Sequence, residues 1–204
     1  MSLMDSKTSI PWLEAGYTIF SDEGPKGLKI EVLAREVGKS KSSFYHCFAD
    51  LDIFIDELLC FHVVKSTEVF NRVKLCENVV PDFFEVLYEF KEDAFFNRQL
   101  RINRHIESYK LCFEKAHKPV EDALLKFWPE AIGLDEKPHL ARMILNLTVE
   151  NFYLRLTEET FTEQGLKVIL TKFEPSQKRC NTLVKGSVVR CRLTILNNSF
   201  YICL

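Results

Sequence analysis

The sequence predicts an all-α protein, and three observations support that prediction. Only seven glycines and seven prolines interrupt 204 residues, which favours long helices over a β-sandwich with many turns. Apolar residues recur at three- and four-residue steps along most of the chain, which is the spacing of one helix face. Hydrophobic residues make up 47% and charged residues 27%, as in globular proteins that bury a core. The length suits one large domain or two small ones.

Three short helices are expected in the first fifty residues. The first covers residues 9–22, where apolar side chains form one stripe before a glycine–proline break. The second covers residues 29–37 and stops at Gly38, since glycine commonly follows a helix end. Ser40 is a good N-cap for the third helix, which covers residues 41–47.

Longer helices are predicted in the rest of the chain up to residue 177. One helix covers residues 50–76, because apolar residues recur along it and Asp50 suits the positive N-terminus of a helix. The other helices are expected at about residues 81–93, 95–117, 119–130, 137–157 and 161–173, with breaks at Pro119, Gly133 and Pro138.

The tail from residue 178 differs in character from the helices before it. It carries five basic residues and no acidic one. Apolar and polar residues alternate over 189–195, which is typical of a strand, and Asn197-Asn198 would turn it toward 200–204 to form a short β-hairpin. An appended segment that packs wherever it can is the alternative, and the sequence does not separate the two.

The charge distribution and the absence of long apolar runs argue against a uniformly basic nucleic-acid-binding protein, a membrane protein and an exported protein. The net charge is −2, and residues 1–50 carry six basic against seven acidic residues, so contact with nucleic acid would need a local surface. No apolar run approaches the ~20 residues of a membrane helix. Residues 1–9 hold no apolar stretch of signal-peptide length. We therefore expect no membrane partner and no export.

The seven cysteines and five histidines show no spacing that is typical of a metal site. No Cys-x-x-Cys or His-x-x-x-His pair occurs, so we expect reduced thiols, a cytoplasmic location, no bound metal and no cofactor. The glycine-rich nucleotide loops, the serine-hydrolase elbow and the zinc-protease motif are missing as well. An enzyme is therefore not expected.

The two helices around Gly38 carry the strongest functional signal. Two short helices that meet at a glycine turn form a helix-turn-helix pattern, whose second helix must be polar where it enters the ~12 Å major groove. Phe44 and Phe48 supply the apolar side that would anchor this helix. The candidate contacts to phosphates and base edges are Lys39, Lys41, Ser42, Ser43, Tyr45 and His46. A plain helical corner with a solvated face is the alternative.

The residues from Leu33 to Phe48 resemble the signature of TetR-family repressors. That signature reads Ile-Ala, three variable positions, Gly, one position, Ser, Lys, Gly or Ser, two positions, Tyr, one position, His and Phe. This sequence reads Leu-Ala-Arg-Glu-Val-Gly-Lys-Ser-Lys-Ser-Ser-Phe-Tyr-His-Cys-Phe over the same stretch. The resemblance covers about residues 8–60, and the rest of the chain matches the family only in the number and length of its helices.

The resemblance implies a bacterial transcriptional repressor that acts as an all-α homodimer. Residues 1–50 would then be a helix-turn-helix domain that binds double-stranded operator DNA. Residues 51–177 would be a helical domain for dimerisation and for a small-molecule effector that releases the DNA. Residues 178–204 remain a basic tail of uncertain structure.

The resemblance also implies the operator contacts residue by residue. They are Ser40, Lys41, Ser43, Tyr45 and His46. Tyr45 and His46 match positions that usually hold phosphates. Lys39 and Ser42 are better candidates for reading bases.

The sequence departs from the family pattern in three places. Lys29 stands where a threonine often caps the second helix, so that cap is expected to be absent. Cys47 replaces a frequent histidine and removes one donor. The strand-like tail has no counterpart in the family.

The aromatic-rich stretch over residues 84–153 permits a ligand pocket, although most of its aromatics should be core. The candidate pocket residues are Tyr109 and Asn146. Basic residues also recur at helical spacing in this stretch, which indicates either an anion site or a solvated, ion-paired face. These residues are Arg98, Arg101, Arg104 and His105.

The last two predicted helices, 137–157 and 161–173, would form the four-helix bundle of a dimer if the resemblance holds. Their apolar residues are Leu140, Ile144, Leu147, Phe152, Leu154, Leu166, Ile169, Leu170 and Phe173. Packing within one chain would use the same residues equally well.

The rival interpretation is a helical interaction protein whose first domain does not bind DNA. It draws support from the lack of net positive charge in residues 1–50. A positive surface around Lys39, Lys41 and His46 favours DNA binding, and a negative one favours the rival.

Overall fold

The predicted all-α fold is confirmed. The structure, a computed structural model, describes residues 8–170, 194–196 and 199–201, and these residues form ten α-helices and one pair of short strands. The first five helices are α1 (Ile10–Glu23), α2 (Ile30–Val37), α3 (Lys41–Cys47), α4 (Leu51–Val73) and α5 (Phe84–Glu89). The next five are α6 (Lys91–Ile102), α7 (Glu107–Leu124), α8 (Trp128–Ala131), α9 (Pro138–Arg155) and α10 (Glu163–Leu170). We call α1–α3 the head and α4–α10 the body.

The head helices begin and end where the capping residues predict. Gly38 adopts a left-handed conformation (φ 68°) after α2, and its amide returns to carbonyls of the last turn. The Ser40 side chain caps α3 by accepting a hydrogen bond from the amide of Ser43 at 3.2 Å. Asp50 caps α4 in the same way. Lys29 makes no side-chain cap on α2, as its departure from the family pattern suggested.

An aromatic cluster holds α3 in place. Phe44 is fully buried, and its ring centroid lies 5.4 Å from that of Trp12 in α1. On its other side it lies 5.2 Å from Phe48 and 5.5 Å from Phe54 of α4. These contacts tie α3 to α1 and to α4, so the apolar side of α3 is covered and its polar side faces outward.

The body helices differ from the prediction between residues 81 and 130. A π-helical turn (Val79–Phe83) precedes α5, and the chain breaks at Phe90, where the apolar spacing predicts a continuous helix to residue 93. The expected helix over 95–117 is also wrong, because α6 ends at Ile102 and α7 starts at Glu107. Neither break carries a glycine or proline, and the apolar spacing runs through both. Asn103, the C-cap of α6, is of a residue type that often follows a helix end, and it is the one local signal at these breaks.

Pro119 lies inside α7, where the sequence predicts a boundary. Proline removes one helical hydrogen bond, namely the bond from its missing amide to the carbonyl four residues earlier. Both Pro119 and Lys115 are exposed, so that carbonyl is on the solvent side of the helix. The helix therefore continues through the proline to Leu124.

The end of the chain is described only in part. The predictions for residues 137–157 and 161–173 correspond to α9 and α10, while residues 171–173 lie outside the described residues, as do the side chains of Ile169 and Leu170. Two strands, β1 (Thr194–Leu196) and β2 (Ser199–Tyr201), pair antiparallel. Residues 197–198, where a turn is predicted, and the remainder of the predicted tail also lie outside the described residues.

Helix α6 occupies the centre of the molecule. It packs against α1 of the head on one side and against α7 and α9 of the body on the other, while α4 packs along α7. Head and body therefore share one continuous hydrophobic core. Within residues 8–170, none of the helices has both the length and the apolar composition needed to cross a membrane.

Gly16→Ala should destabilise the protein. A Cβ atom at Gly16 would lie 2.4 Å from Cζ of Phe54, whose ring is fully buried, so α1 and α4 would have to separate or the ring would have to move. We expect the free energy of unfolding to fall by about 1–3 kcal/mol, as in other overpacked cores. Urea unfolding measures the loss. Glu14→Ala, at an exposed position of the same helix, is the control, and an equal effect of both substitutions would contradict the packing argument.

Candidate functional site

The outer side of α3 gathers most of the predicted DNA contacts on one surface. Tyr45 is 56% exposed, and its ring packs edge-on against the buried ring of Phe44. The other exposed members of this surface are Lys39, Ser40, Lys41, Ser42 and His46. We call these six residues the α3 surface.

Ser43 is more enclosed than the rest. Its hydroxyl lies 3.1 Å from the hydroxyl of Ser40, and its amide donates to that same oxygen. Both serines therefore take part in the cap of α3. For Ser40 and Ser43, any contact with a phosphate would have to compete with this local hydrogen bonding.

Lys41 forms an ion pair with Glu31 of α2, a contact that helical periodicity does not predict. Hydrogen bonding to the lysine lowers the pKa of the Glu31 carboxyl. The Lys41 side chain is 54% exposed, so the pair is screened by water and can exchange partners at little cost. The positive charge at the start of α3 is thus partly neutralised, and Lys39 is the neighbouring exposed cation.

A cavity of about 60 Å³ lies in the body between α4, α5, α6, α7 and α9. Its walls are mostly apolar, with aromatic rings from Phe83, Phe90, Trp128 and Phe152. The polar residues that line it are Ser66, Asp93, Asn97, His117, Thr148 and Tyr153. Ligand sites are typically apolar pockets with a few placed polar groups, but they measure ~300–1,000 Å³. An occupant of ordinary size would therefore have to widen this cavity.

The two candidate pocket residues lie elsewhere. Tyr109 is buried against Phe20 of α1, with ring centroids 5.5 Å apart, so it belongs to the packing between head and body. Asn146 is exposed on α9, and its amide, once turned so that the nitrogen faces Glu121, donates to that carboxylate at 3.2 Å. Neither residue is among the described residues that line the cavity.

The basic residues predicted as one helical stripe are divided in the structure, because Arg98 and Arg101 lie on α6 whereas Arg104 and His105 follow its end at Ile102. Arg101 and Arg104 are ion-paired to α9. Arg101 donates to a Glu150 carboxylate oxygen at 3.0 Å, and Arg104 donates to the same oxygen at 3.3 Å. Arg98 is half-buried, and His105 is exposed. These contacts favour an ion-paired face over an anion site.

A buried polar network joins α1, α4 and α6 beside the cavity. The Tyr17 hydroxyl lies 3.0 Å from Nδ1 of His62 and donates to Asp93 at 3.3 Å. Nε2 of His62 lies 3.3 Å from the amide oxygen of Asn97, whose nitrogen donates to the Asp93 carboxylate at 2.9 Å. We call Tyr17, His62, Asp93 and Asn97 the junction network, because it connects the head with the helices that enclose the cavity.

Burial sets the charges in the junction network. It raises the pKa of Asp93 to about 7, against the hydrogen bonds from Tyr17 and Asn97 that lower it. It lowers the pKa of His62 to about 3, so this imidazole is neutral at physiological pH. It also raises the pKa of the Tyr17 hydroxyl well above its ordinary value. Asp93 is thus the one network member that titrates near neutral pH.

A signal for this network is present in the sequence, in the buried stripe of α4. His62 and Ser66 follow Phe54 and Leu58 at four-residue steps on the buried side of that helix. Two polar residues in such a position must be hydrogen-bonded inside the protein. The pattern indicates a buried polar site, although it does not identify the partners on other helices.

An apolar stripe lies exposed on α9. Leu140 is 39%, Leu147 65% and Leu154 68% exposed, and Met143 lies between them at 50%. Of the residues predicted for a dimer bundle, Phe152 and Leu166 are instead buried within the chain. The apolar residues of this helix are therefore divided between internal packing and an uncovered face; the predicted contribution of Phe173 lies outside the described residues.

No protein-family model matches this sequence, and no curated protein is significantly similar to it. Within the part of the chain that the structure describes, His, Cys, Asp and Glu side chains form no group suited to a metal ion. The four described cysteines are free thiols, and those at 180, 191 and 203 lie outside the described residues.

Asp93→Asn should remove a pH dependence from the stability. The pKa of Asp93 is raised from 3.8 to about 7 by folding, so its contribution is complete below the lower value and is lost as the pH rises through the higher one. We expect the difference in the free energy of unfolding, variant minus wild type, to grow from pH 5 to pH 7 by up to about 1.4 kcal/mol per pH unit and then to level off.

Urea unfolding of both proteins at each pH measures this difference. Taking the difference cancels the contributions of His62 and His117, whose pKa values burial lowers to about 3 and about 4 and which act in the opposite direction. A difference that does not vary with pH would mean that the Asp93 carboxyl is hydrated in solution.

Proposed function

We propose that this protein is a DNA-binding transcriptional regulator of the TetR type, a repressor that a small-molecule effector releases from its operator. The α3 surface carries the proposal. It combines a capped helix start, six exposed polar side chains and a fully buried aromatic anchor, Phe44, on the opposite side. A helix that enters the major groove needs this division, because one side must contact DNA while the other remains fixed to the protein.

The side chains of the α3 surface suit contacts with both the phosphates and the base edges of DNA. Lys39 and Lys41 supply positive charge for phosphates, which dominate affinity. Tyr45 and His46 supply donors that the resemblance assigns to phosphates as well. Ser42 is exposed near the start of α3, where a short hydroxyl side chain can reach a base edge.

The link between effector and DNA would run through α6. Asp93 and Asn97 of this helix line the cavity, while Gln99, further along it, donates to the backbone carbonyls of Ser21 and Asp22 at the end of α1, both at 3.3 Å. A ligand that widens the cavity moves α6 or its neighbours and so shifts the head. The expected coupling is about 1–3 kcal/mol, or roughly 5–150-fold in DNA affinity, and it must act equally in both directions.

The exposed stripe on α9 would form the dimer interface. Contiguous apolar surface of this kind marks a site of association on a globular protein. Two copies related by a twofold axis would cover the stripe symmetrically. Their two α3 helices should then lie about 34–36 Å apart, or a multiple of it, to reach successive major grooves.

A helical interaction protein is the second candidate, and the Lys41–Glu31 ion pair favours it. The pair places a carboxylate beside α3, and residues 1–50 carry one more acidic than basic residue. In this case the α3 surface would bind a protein partner and show no affinity for duplex DNA.

Lys41→Ala should weaken DNA binding regardless of sequence. Removing one phosphate contact lowers the affinity for specific and random duplexes alike and reduces the salt slope by about one unit. Fluorescence anisotropy at several salt concentrations measures both, with an operator selected from random fragments. Ser42→Ala should change base preference instead, because it removes no charge.

Glu31→Gln is the variant matched to Lys41→Ala. It removes the ion-pair partner of Lys41, so it should raise the affinity for every duplex.

Loss of binding confined to the selected operator in Lys41→Ala would contradict the phosphate assignment. Absence of binding to any duplex at low salt by the wild-type protein would reject the regulator and leave the interaction protein.

Leu147→Glu should break the dimer. A charge in the middle of the α9 stripe cannot be buried without a partner, so the variant should sediment as a monomer at micromolar concentration and lose tight binding to a palindromic duplex. Leu75→Glu is the control, because Leu75 is 76% exposed just after α4 and does not belong to α9. A wild-type monomer that still binds the palindrome tightly would reject this interface.

A further inference from the structure

The body cavity selects for an apolar molecule with one polar end. Aromatic and aliphatic side chains form most of its wall, and the junction network lies at one side of it. An apolar body gains free energy from burial against such walls. The polar group of the occupant must then be matched by the side chains near α6.

Asp93 is the distinctive group in this wall. Among the described residues that line the cavity, it is the single acid, and neither lysine nor arginine is present. Its two hydrogen-bond donors, Tyr17 and Asn97, are neutral. Nδ1 of His62 lies 3.6 Å from its carboxylate, but this imidazole is also neutral. A carboxylate offers about four acceptor sites, so two neutral donors leave room for a third partner.

The lysine whose charge acts on Asp93 already has other partners. Nζ of Lys65 lies 3.7 Å from the Glu92 carboxylate and 4.0 Å from the centre of the Tyr17 ring. It lowers the pKa of Asp93 only as a distant charge, behind burial and both hydrogen bonds in its effect. The buried carboxyl is therefore hydrogen-bonded but not matched by a cation inside the cavity.

We propose that the cavity binds an apolar amine, whose ammonium group pairs with the Asp93 carboxylate while its body packs among the aromatic residues of the wall. The proposal rests on the proposed function only in identifying this amine as the effector; binding to the cavity does not depend on DNA. An ammonium group supplies both the missing charge and a strong hydrogen-bond donor. Aromatic faces nearby also favour a cation.

Other ligand classes fit less well. A carboxylic acid would place a second negative charge beside Asp93, which is unfavourable in a low-dielectric site. A neutral alcohol gains the apolar contacts but not the ion pair. The size of the cavity favours a compact molecule, because a larger one must first separate the helices.

Benzylamine, benzyl alcohol and benzoate test the proposal as a matched series, since they share a ring and differ in charge. Isothermal titration calorimetry on the full-length protein at pH 8 should show benzylamine binding about tenfold or more tightly than benzyl alcohol, and benzoate most weakly. In Asp93→Asn, the affinity for benzylamine should fall about tenfold, whereas the affinity for benzyl alcohol should change less than about threefold. Equal affinities for the amine and the alcohol in the wild type would overturn the proposal without reference to any variant.

A second variant tests whether the amine binds inside the cavity. Ala116 lines the cavity, and Ala116→Met fills it without altering a charge, so both benzylamine and benzyl alcohol should lose affinity. Retention of benzylamine binding in this variant would mean that the amine binds elsewhere and would overturn the proposal.

The pH profile is a further readout. Since Asp93 must be ionised to hold the amine, benzylamine affinity in the wild type should rise between pH 6 and pH 8, whereas Asp93→Asn should show no rise. The titratable and polar groups that face Asp93 are Tyr17, His62, Lys65, Glu92, Asn97, Cys112 and Tyr153. The raised pKa values of Tyr17, Cys112 and Tyr153 and the lowered one of His62 keep these four neutral over this range.

DNA binding separates this proposal from the proposed function. Amine binding that depends on Asp93 but leaves operator affinity unchanged supports the cavity site and rejects its role as the effector site. Intact operator binding in a protein that binds none of the three compounds overturns the amine site and leaves the regulator standing.

Discussion

The packing of Phe96 against both Tyr17 and His62 is the contact on which the rest of the structure depends. Its ring centroid lies 4.4 Å from that of Tyr17 and 4.2 Å from that of His62, so one side chain of α6 joins α1 to α4. The Tyr17 hydroxyl extends this contact to Asp93. Because a buried carboxyl group is costly without hydrogen bonds, the three helices have little freedom to separate at this point.

Helix α6 therefore connects the cavity in the body with the head that carries the α3 surface. Asp93 and Asn97 of α6 line the cavity, and Gln99 donates hydrogen bonds to backbone carbonyls at the end of α1. From α1, the contact between Trp12 and Phe44 leads on to α3. Rigid packing of this kind transmits small movements because close-packed cores do not deform continuously. A regulator whose head responds to the body would need such a connection.

Local sequence signals predicted the head better than the body. Gly38 and Ser40 set the ends of α2 and α3 through their own backbone and side-chain preferences, which act within a few residues. No glycine or proline marks the break at Phe90 or the one after Ile102, where Asn103 is the one local signal, and Pro119 stands where the helix in fact continues. Periodicity within one segment does not express how α5, α6 and α7 pack against their neighbours.

The sequence by itself determined the helical class, the capped helices of the head and the polar outer side of α3, because each follows from interactions between residues close in the chain. Only the tertiary structure decided that Lys41 pairs with Glu31 and that Tyr17 meets Asp93, 76 residues away. It also placed Tyr109 in the core rather than in a pocket. Hydrogen bonds and burial act over a few ångströms in space, so their partners are known only once distant helices have been brought together.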